Sequence, residues 1–236
     1  MRLILILTLI CFSTIASEKG GESLTEQLQA RANRSAKKAP QAVKDTMNNA
    51  IEELKSSQVM KSALRQGAQM PAFALEDVKH GLIKSADLLK RGPLLVVFYR
   101  GGWCPYCNLQ LRDLQKHLKS IQAQGAQLVA ISPQTPDSTA GTVKKGNLGF
   151  YVLSDNDGAV AKKFGLMYKL NKELIALYKK FEIDLENSNG NKDWELPISA
   201  TYIVNQSGKI TYSFVDADYK KRPETSELVK LIAQAK

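Results

Sequence analysis

Six consecutive apolar residues, Leu94-Leu95-Val96-Val97-Phe98-Tyr99, run directly into Arg100-Gly101-Gly102-Trp103-Cys104-Pro105-Tyr106-Cys107. A run of that length, rich in β-branched and aromatic side chains, reads as a strand buried on both faces, as in a helix-covered parallel sheet. Beyond it Leu111, Leu114, Leu118 and Ile121 recur at helical spacing, so Cys104 falls where a helix begins. Pro105 suits the first helical position, because its missing N–H would have had no intrahelical partner. The sequence thus predicts a strand, a glycine loop and a helix, with a Cys-x-x-Cys pair at the join.

The neighbouring segments extend this unit. Residues 127–132 (QLVAIS) and 149–153 are two further strands, and Ser154-Asp155 is a cap for a helix starting near Ala159. A hairpin spans 201–205 and 209–215 around the turn Gln206-Ser207-Gly208, and a closing helix covers about 224–235. Upstream, Phe73-Ala74-Leu75 reads as an edge strand pairing with Leu82-Ile83, before a short helix at 85–90. Strands alternating with helices predict an α/β sheet covered on both faces. Residues 166–196 interrupt that order and read as an insertion near the active-site face. Ahead of Gly67, some fifty polar residues are helical, with Val43, Met47, Ile51 and Leu54 forming one apolar stripe. That stripe is read either as packing on the parent domain or as a dimerisation surface.

The first residues bear on compartment. Met1-Arg2 is a positive start, residues 3–10 are almost unbroken aliphatic, and Thr14-Ile15-Ala16 precedes the polar Ser17-Glu18-Lys19. This is the pattern of a secretory signal cleaved after Ala16, and it is short for a bilayer span. The expected organisation is a signal over 1–16, a helical extension over 17–66 and an α/β domain over 67–236, exported to a periplasm or the exterior. An uncleaved anchor is the alternative. Cys11 belongs to the signal, since Ile10 stands where a lipidation site needs a small residue. The net charge of +10 comes from scattered lysines, not a block, which describes a solvated basic surface better than a nucleic-acid site.

Three cysteines in the whole chain therefore become two in the mature one. A disulfide staple gains most from closing a long loop, and Cys104 and Cys107 are separated by only two residues. The pair is placed to react. At a helix N-terminus the unpaired backbone N–H groups and the dipole favour a thiolate, so Cys104 is the expected nucleophile. Arg100 is the candidate thiolate-stabilising cation. Cys107, one turn on, is the expected resolving partner, forming a Cys104–Cys107 disulfide. A zinc site would need four ligands, and only His80 and His117 could add nitrogen. Neither a metal nor another cofactor is expected.

With these residues in place, the sequence resembles the alkyl hydroperoxide reductase/thiol-specific antioxidant family, in its peroxiredoxin-like branch with a Cys-x-x-Cys site. The resemblance rests on FYRGGWCPYC (98–107), AISPQTPDS (130–138), LSDNDGAVAKKFGL (153–166), ATYIVNQSGKIT (200–211) and VDADY (215–219). It implies a thioredoxin-like fold, reduction of hydrogen peroxide or organic hydroperoxides at Cys104, and recycling by a thioredoxin-like dithiol donor. The family's threonine or serine three residues before the cysteine is replaced by Gly101, its proline four further back by Val97, and its arginine before the late strand falls near Ser199. The other enzymatic reading is an exported thiol:disulfide oxidoreductase, for which Pro197 would be the cis-proline receiving substrate. A metal-binding or chaperoning module is the non-enzymatic one. For the leader, mass spectrometry of protein from the native cell envelope should give a mature N-terminus near Ser17, and intact Met1 would overturn the signal reading.

Overall fold

The computed structural model describes residues 22–235. The expected leader, with Cys11, lies outside the described residues. Two helices, α1 (Leu24–Lys38) and α2 (Gln41–Ser56), and one short helix, α3 (Gln58–Ser62), precede the sheet. Then follow β1 (Ala74–Asp77), β2 (Gly81–Lys84), α4 (Ser85–Leu89), β3 (Leu94–Phe98), α5 (Pro105–Lys116), α6 (Leu118–Ala123) and β4 (Gln127–Ser132). Next come α7 (Pro136–Gly146), β5 (Tyr151–Ser154), α8 (Ala159–Lys163), β6 (Met167–Lys169), α9 (Lys172–Lys180), α10 (Leu185–Asn189) and β7 (Glu195–Pro197). The chain closes with β8 (Ala200–Val204), β9 (Ile210–Val215) and α11 (Thr225–Ala233).

Seven strands form one mixed sheet in the order β2-β1-β5-β4-β3-β8-β9. β3, β4 and β5 are parallel, and β8 and β9 continue the sheet antiparallel beyond β3. The apolar run of β3 is fully buried because its side chains alternate between two cores. Leu95 and Val97 face the core built with α1, α5, α6 and α11, whereas Leu94, Val96 and Phe98 face the core with α4 and α8. The sheet is covered on both faces, as the sequence predicts.

Several details differ from the sequence expectations, each with a local cause. β1 is not an edge strand: it lies between β2 and β5, leaving β2 at the edge. β5 starts at Tyr151 instead of Gly149, because the Gly149 N–H donates to Gln115 Oε1 on α5 at 2.7 Å. The helix expected through Ile121 breaks at His117 into α5 and α6. The N-cap residue of α8 is Gly158 and Ser154 donates to Thr139 instead, but the Asp155 carboxylate still caps the first turn, accepting from the N–H groups of Val160 (3.0 Å) and Ala161 (2.8 Å).

Residues 166–196 form a small unit of their own. β6 and β7 pair antiparallel at its base, and α9, α10 and Trp194 enclose a separate core with Leu170, Leu174, Leu177 and Leu196. The α2 stripe is used here. Val43, Met47 and Ala50 pack against this core, while Ile51 and Leu54 are buried. The apolar face thus packs on the chain's own domain.

Helix α1 lies along α5, burying Leu24 and Leu28. Its N-terminus carries a capping box between Ser23 and Glu26. Glu224 also accepts from the N–H groups of Thr25 (2.6 Å) and Leu24 (3.2 Å), across 199 and 200 residues of sequence. Leu28→Ala should weaken this docking by about 2–5 kcal/mol. Hydrogen exchange should then speed up across residues 24–38 while the strands keep their protection. Unchanged exchange in α1 would show that Leu28 does not hold the helix.

Candidate active site

The end of β3 delivers Arg100 and the glycine loop to the head of α5. Gly101 has φ +145°, and a Cβ there would overlap the Trp103 indole. A Cβ at Gly102 would overlap the Thr142 hydroxyl. Threonine at position 101 would therefore meet both a strained backbone and the Trp103 indole in this loop. Gln134 Oε1 accepts from the Gly102 N–H (2.8 Å) and the Thr142 hydroxyl (3.1 Å), and Asn108 Nδ2 donates to the Gly102 carbonyl (2.7 Å). The loop is held from three sides.

Cys104 is the N-cap residue of α5, Pro105 its first helical residue, and Cys107 the third. Both cysteines are free, and they are 1% and 0% exposed. Burial alone would push the Cys104 thiol up. The Cys107 thiol donating to its sulfur, the Arg100 guanidinium, the Cys107 backbone N–H and Arg222 together outweigh it and bring Cys104 down to about 5. Cys107 moves the opposite way: burial, donation to Cys104 and the negative charge on Cys104 hold it well above the ordinary thiol range. The two sulfurs are thus driven apart, Cys104 toward the thiolate and Cys107 toward the thiol.

Arg100 is 2% exposed and has no carboxylate partner among the described residues. It donates to the Tyr178 hydroxyl of α9 and lies 4.3 Å from the ring centroid of Tyr219 and 5.0 Å from that of Trp103. Its Nε, and the indole Nε1 of Trp103, are buried donors without a protein acceptor. These groups and Cys104 line a cleft of about 720 Å³, walled by α1, α2 and α9. Trp103, Tyr106, Tyr178 and Phe181 give it an aromatic lining, Arg31 and Lys44 stand among its cations, and no carboxylate lines it among the described residues.

One residue escaped the sequence reading. Arg222, 7% exposed, reaches back from the segment between β9 and α11 to donate to Cys107 Sγ at 3.6 Å and Ser199 Oγ at 2.8 Å. A guanidinium therefore stands beside Ser199, where the family's arginine would fall in sequence, but it comes from another part of the chain. The available signal was the run Lys220-Lys221-Arg222-Pro223, which reads as surface charge. Pro197 is not a substrate-receiving cis-proline: no cis peptide occurs among the described residues, and Pro197 pairs with Met167 in β7. His80 is bound to Asp77 Oδ1 at 2.7 Å, and His117 lies ten residues beyond Cys107, about 15 Å along a helical rise. Neither imidazole is brought to the dithiol.

The sequence model of the AhpC/TSA family matches residues 66–213. The chain belongs to the AhpC/TSA family. Among its relatives, a putative peroxiredoxin bcp of Buchnera aphidicola is 25% identical over 166 residues, covering 68% of this chain and 92% of that protein. A putative peroxiredoxin bcp of Haemophilus influenzae is 33% identical over 104 residues, covering 44% of this chain and 66% of its own length. The crystal structure of peroxidoxin BcpB from Mycobacterium tuberculosis superposes with a TM-score of 0.57 at 18% identity, covering 73% of this chain and 99% of that one. This AhpC/TSA chain thus has the thioredoxin-like fold of peroxiredoxins.

The lowered Cys104 value has a direct consequence, since only the thiolate reacts. Alkylation of Cys104 in the reduced protein, followed on its peptide by mass spectrometry, should be flat above about pH 6 and fall as pH drops through about 5. Arg100→Met should move the midpoint upward. A midpoint in the ordinary thiol range for the unmutated protein would overturn the assignment.

Proposed function

We propose that the protein is an exported thiol-dependent peroxidase working through Cys104 and Cys107. The observation that carries this reading is a single thiolate at a helix N-terminus, beside a buried guanidinium with no carboxylate partner among the described residues, opening onto a cleft lined by aromatic and cationic side chains. Family membership supports the reaction class, since the relatives bear peroxiredoxin names.

The chemistry follows from the side chains. Cys104 thiolate attacks one peroxide oxygen; the O–O bond breaks, Cys104 becomes a sulfenic acid, and the alkoxide or hydroxide takes up a proton to leave as alcohol or water. The Arg100 Nε–H and the Trp103 indole N–H supply hydrogen bonds that a threonine would offer elsewhere in the family. Cys107 then attacks the sulfenic sulfur, the S–O bond breaks, and water leaves as the Cys104–Cys107 disulfide forms. A thioredoxin-type dithiol returns the pair to thiols. The aromatic lining and volume of the cleft suit organic hydroperoxides as well as hydrogen peroxide.

The roles separate by mutation. With thioredoxin as reductant, Cys104→Ser should abolish consumption of both hydrogen peroxide and cumene hydroperoxide. Cys107→Ser should consume about one equivalent and accumulate Cys104 sulfenic acid, with over-oxidised Cys104 appearing only as further peroxide is consumed. Peroxide turnover retained in both variants, with insulin reduction lost, would replace the peroxidase reading by that of a thiol:disulfide oxidoreductase.

A further inference from the structure

The guanidinium of Arg222 is used to its limit. Its Nε donates to Gln110 Oε1 (2.6 Å), its Nη1 to the carbonyls of Tyr219 (2.8 Å) and Lys221 (2.6 Å), and its Nη2 to Ser199 Oγ (2.8 Å) and Cys107 Sγ (3.6 Å). Five bonds account for all five N–H donors of an arginine. Four of the acceptors are neutral oxygens, and the fifth is the one sulfur that needs to change charge. Gln110, itself 1% exposed, is held by donating to Thr201 Oγ1 at 3.3 Å, so the guanidinium is braced from α5, from β8 and from its own loop. No carboxylate pairs with it among the described residues.

We propose that Arg222 is a catalytic residue of the resolving step, holding the Cys107 sulfur as the anion that attacks oxidised Cys104. The proposal rests on the peroxidase reading for its place in the cycle. In the reduced site Cys104 carries the negative charge, and that charge, together with burial, keeps Cys107 protonated. Oxidation of Cys104 to a neutral sulfenic acid removes the repelling anion and leaves Arg100 and Arg222 facing no negative group. Cys107 is then the acid best placed to restore neutrality. Its proton goes to the departing hydroxide, which leaves as water; the Cys107 sulfur is oxidised and the Cys104 sulfur reduced as the S–S bond forms. The groups facing Cys107 are Cys104, Arg100, Arg222, Tyr99 and Tyr168, and burial keeps both tyrosines protonated.

Two measurements decide it. In Cys104→Ser the serine stands in for a neutral, oxidised Cys104, and Cys107 is the remaining thiol of the pair. Thiolate absorbance against pH, with Cys104→Ser/Cys107→Ser as the baseline, then reports Cys107 alone and needs no peroxide. Adding Arg222→Met should raise its midpoint by about 1–3 units, and Arg222→Lys by less. In the otherwise unmutated protein, rapid mixing with one equivalent of hydrogen peroxide should show Arg222→Met slowing disulfide closure at least tenfold. Sulfenic acid formation should slow less, the Cys104 sulfenic acid should persist, and excess peroxide should then convert it to over-oxidised Cys104. A Cys107 midpoint unmoved by Arg222→Met, or sulfenic acid formation slowed as much as closure, overturns the proposal. If Arg222→Met loses its thermal transition, Gln110→Ala frees the Nε anchor and should shift the midpoint the same way by a smaller amount; no shift there is equally fatal. Failure of unmutated Cys104 to be oxidised by peroxide would sink the peroxidase reading, while the titration still decides what Arg222 does to Cys107.

Discussion

Two guanidinium groups, Arg100 and Arg222, are buried beside the dithiol with no carboxylate among the described residues to neutralise either. A buried unpaired cation is expensive, so the surroundings must supply electron density in other forms. Around Arg100 these are the faces of Tyr219, Tyr178 and Trp103, and around Arg222 two carbonyls, an amide oxygen and a hydroxyl. Carboxylates would have neutralised the charges outright. They would also have removed the field that makes Cys104 a thiolate, so their absence is what leaves the sulfur as the anion.

That requirement reaches beyond the family segment at 66–213. The stretch from Tyr219 to Glu224 touches Arg100, Cys107 and α1 within six residues. Tyr219 covers Arg100, Arg222 holds Cys107, and Glu224 fixes the first turn of α1. Burial pushes the Glu224 carboxyl up, but hydrogen bonds from Thr25 and Leu24 outweigh it and hold the group below the usual carboxylate range. α1 in turn contributes a wall of the cleft. From the other side, the inserted α9 supplies Tyr178 to Arg100 and packs on α2. The extension and the insertion thus complete an enclosure that the sheet alone leaves open.

What was legible in the sequence was local. The buried strand, the helix start at Cys104 and the cap at Asp155 are written in adjacent residues, and periodicity or capping chemistry reads them directly. The α2 stripe was legible as an apolar face but not as to what it covers, because its partner is an insertion more than a hundred residues away. Arg222 was not legible at all. It meets Cys107 across 115 residues, and a basic run ending in Arg222-Pro223 looks like solvated surface until the fold turns it inward. The loss of the family's threonine at position 101 was visible, but the Trp103 indole that lies over Gly101 is a three-dimensional fact.

The same charges bear on the oxidised state. In the proposed Cys104–Cys107 disulfide neither sulfur would carry a negative charge, yet both guanidinium groups and the N-terminal end of α5 would remain. The reduced pair is the form in which this positive field is matched, since Cys104 is then a thiolate. Selective stabilisation of a reduced dithiol makes its disulfide a stronger oxidant, which favours electron transfer from an incoming dithiol. A site arranged to attack peroxide quickly is by the same electrostatics one whose disulfide is readily reduced. Cys104 and Cys107 sit one turn apart at the same helix end, so closing and reopening the bond is a change within that first turn of α5. The sheet can stay packed behind it throughout the cycle.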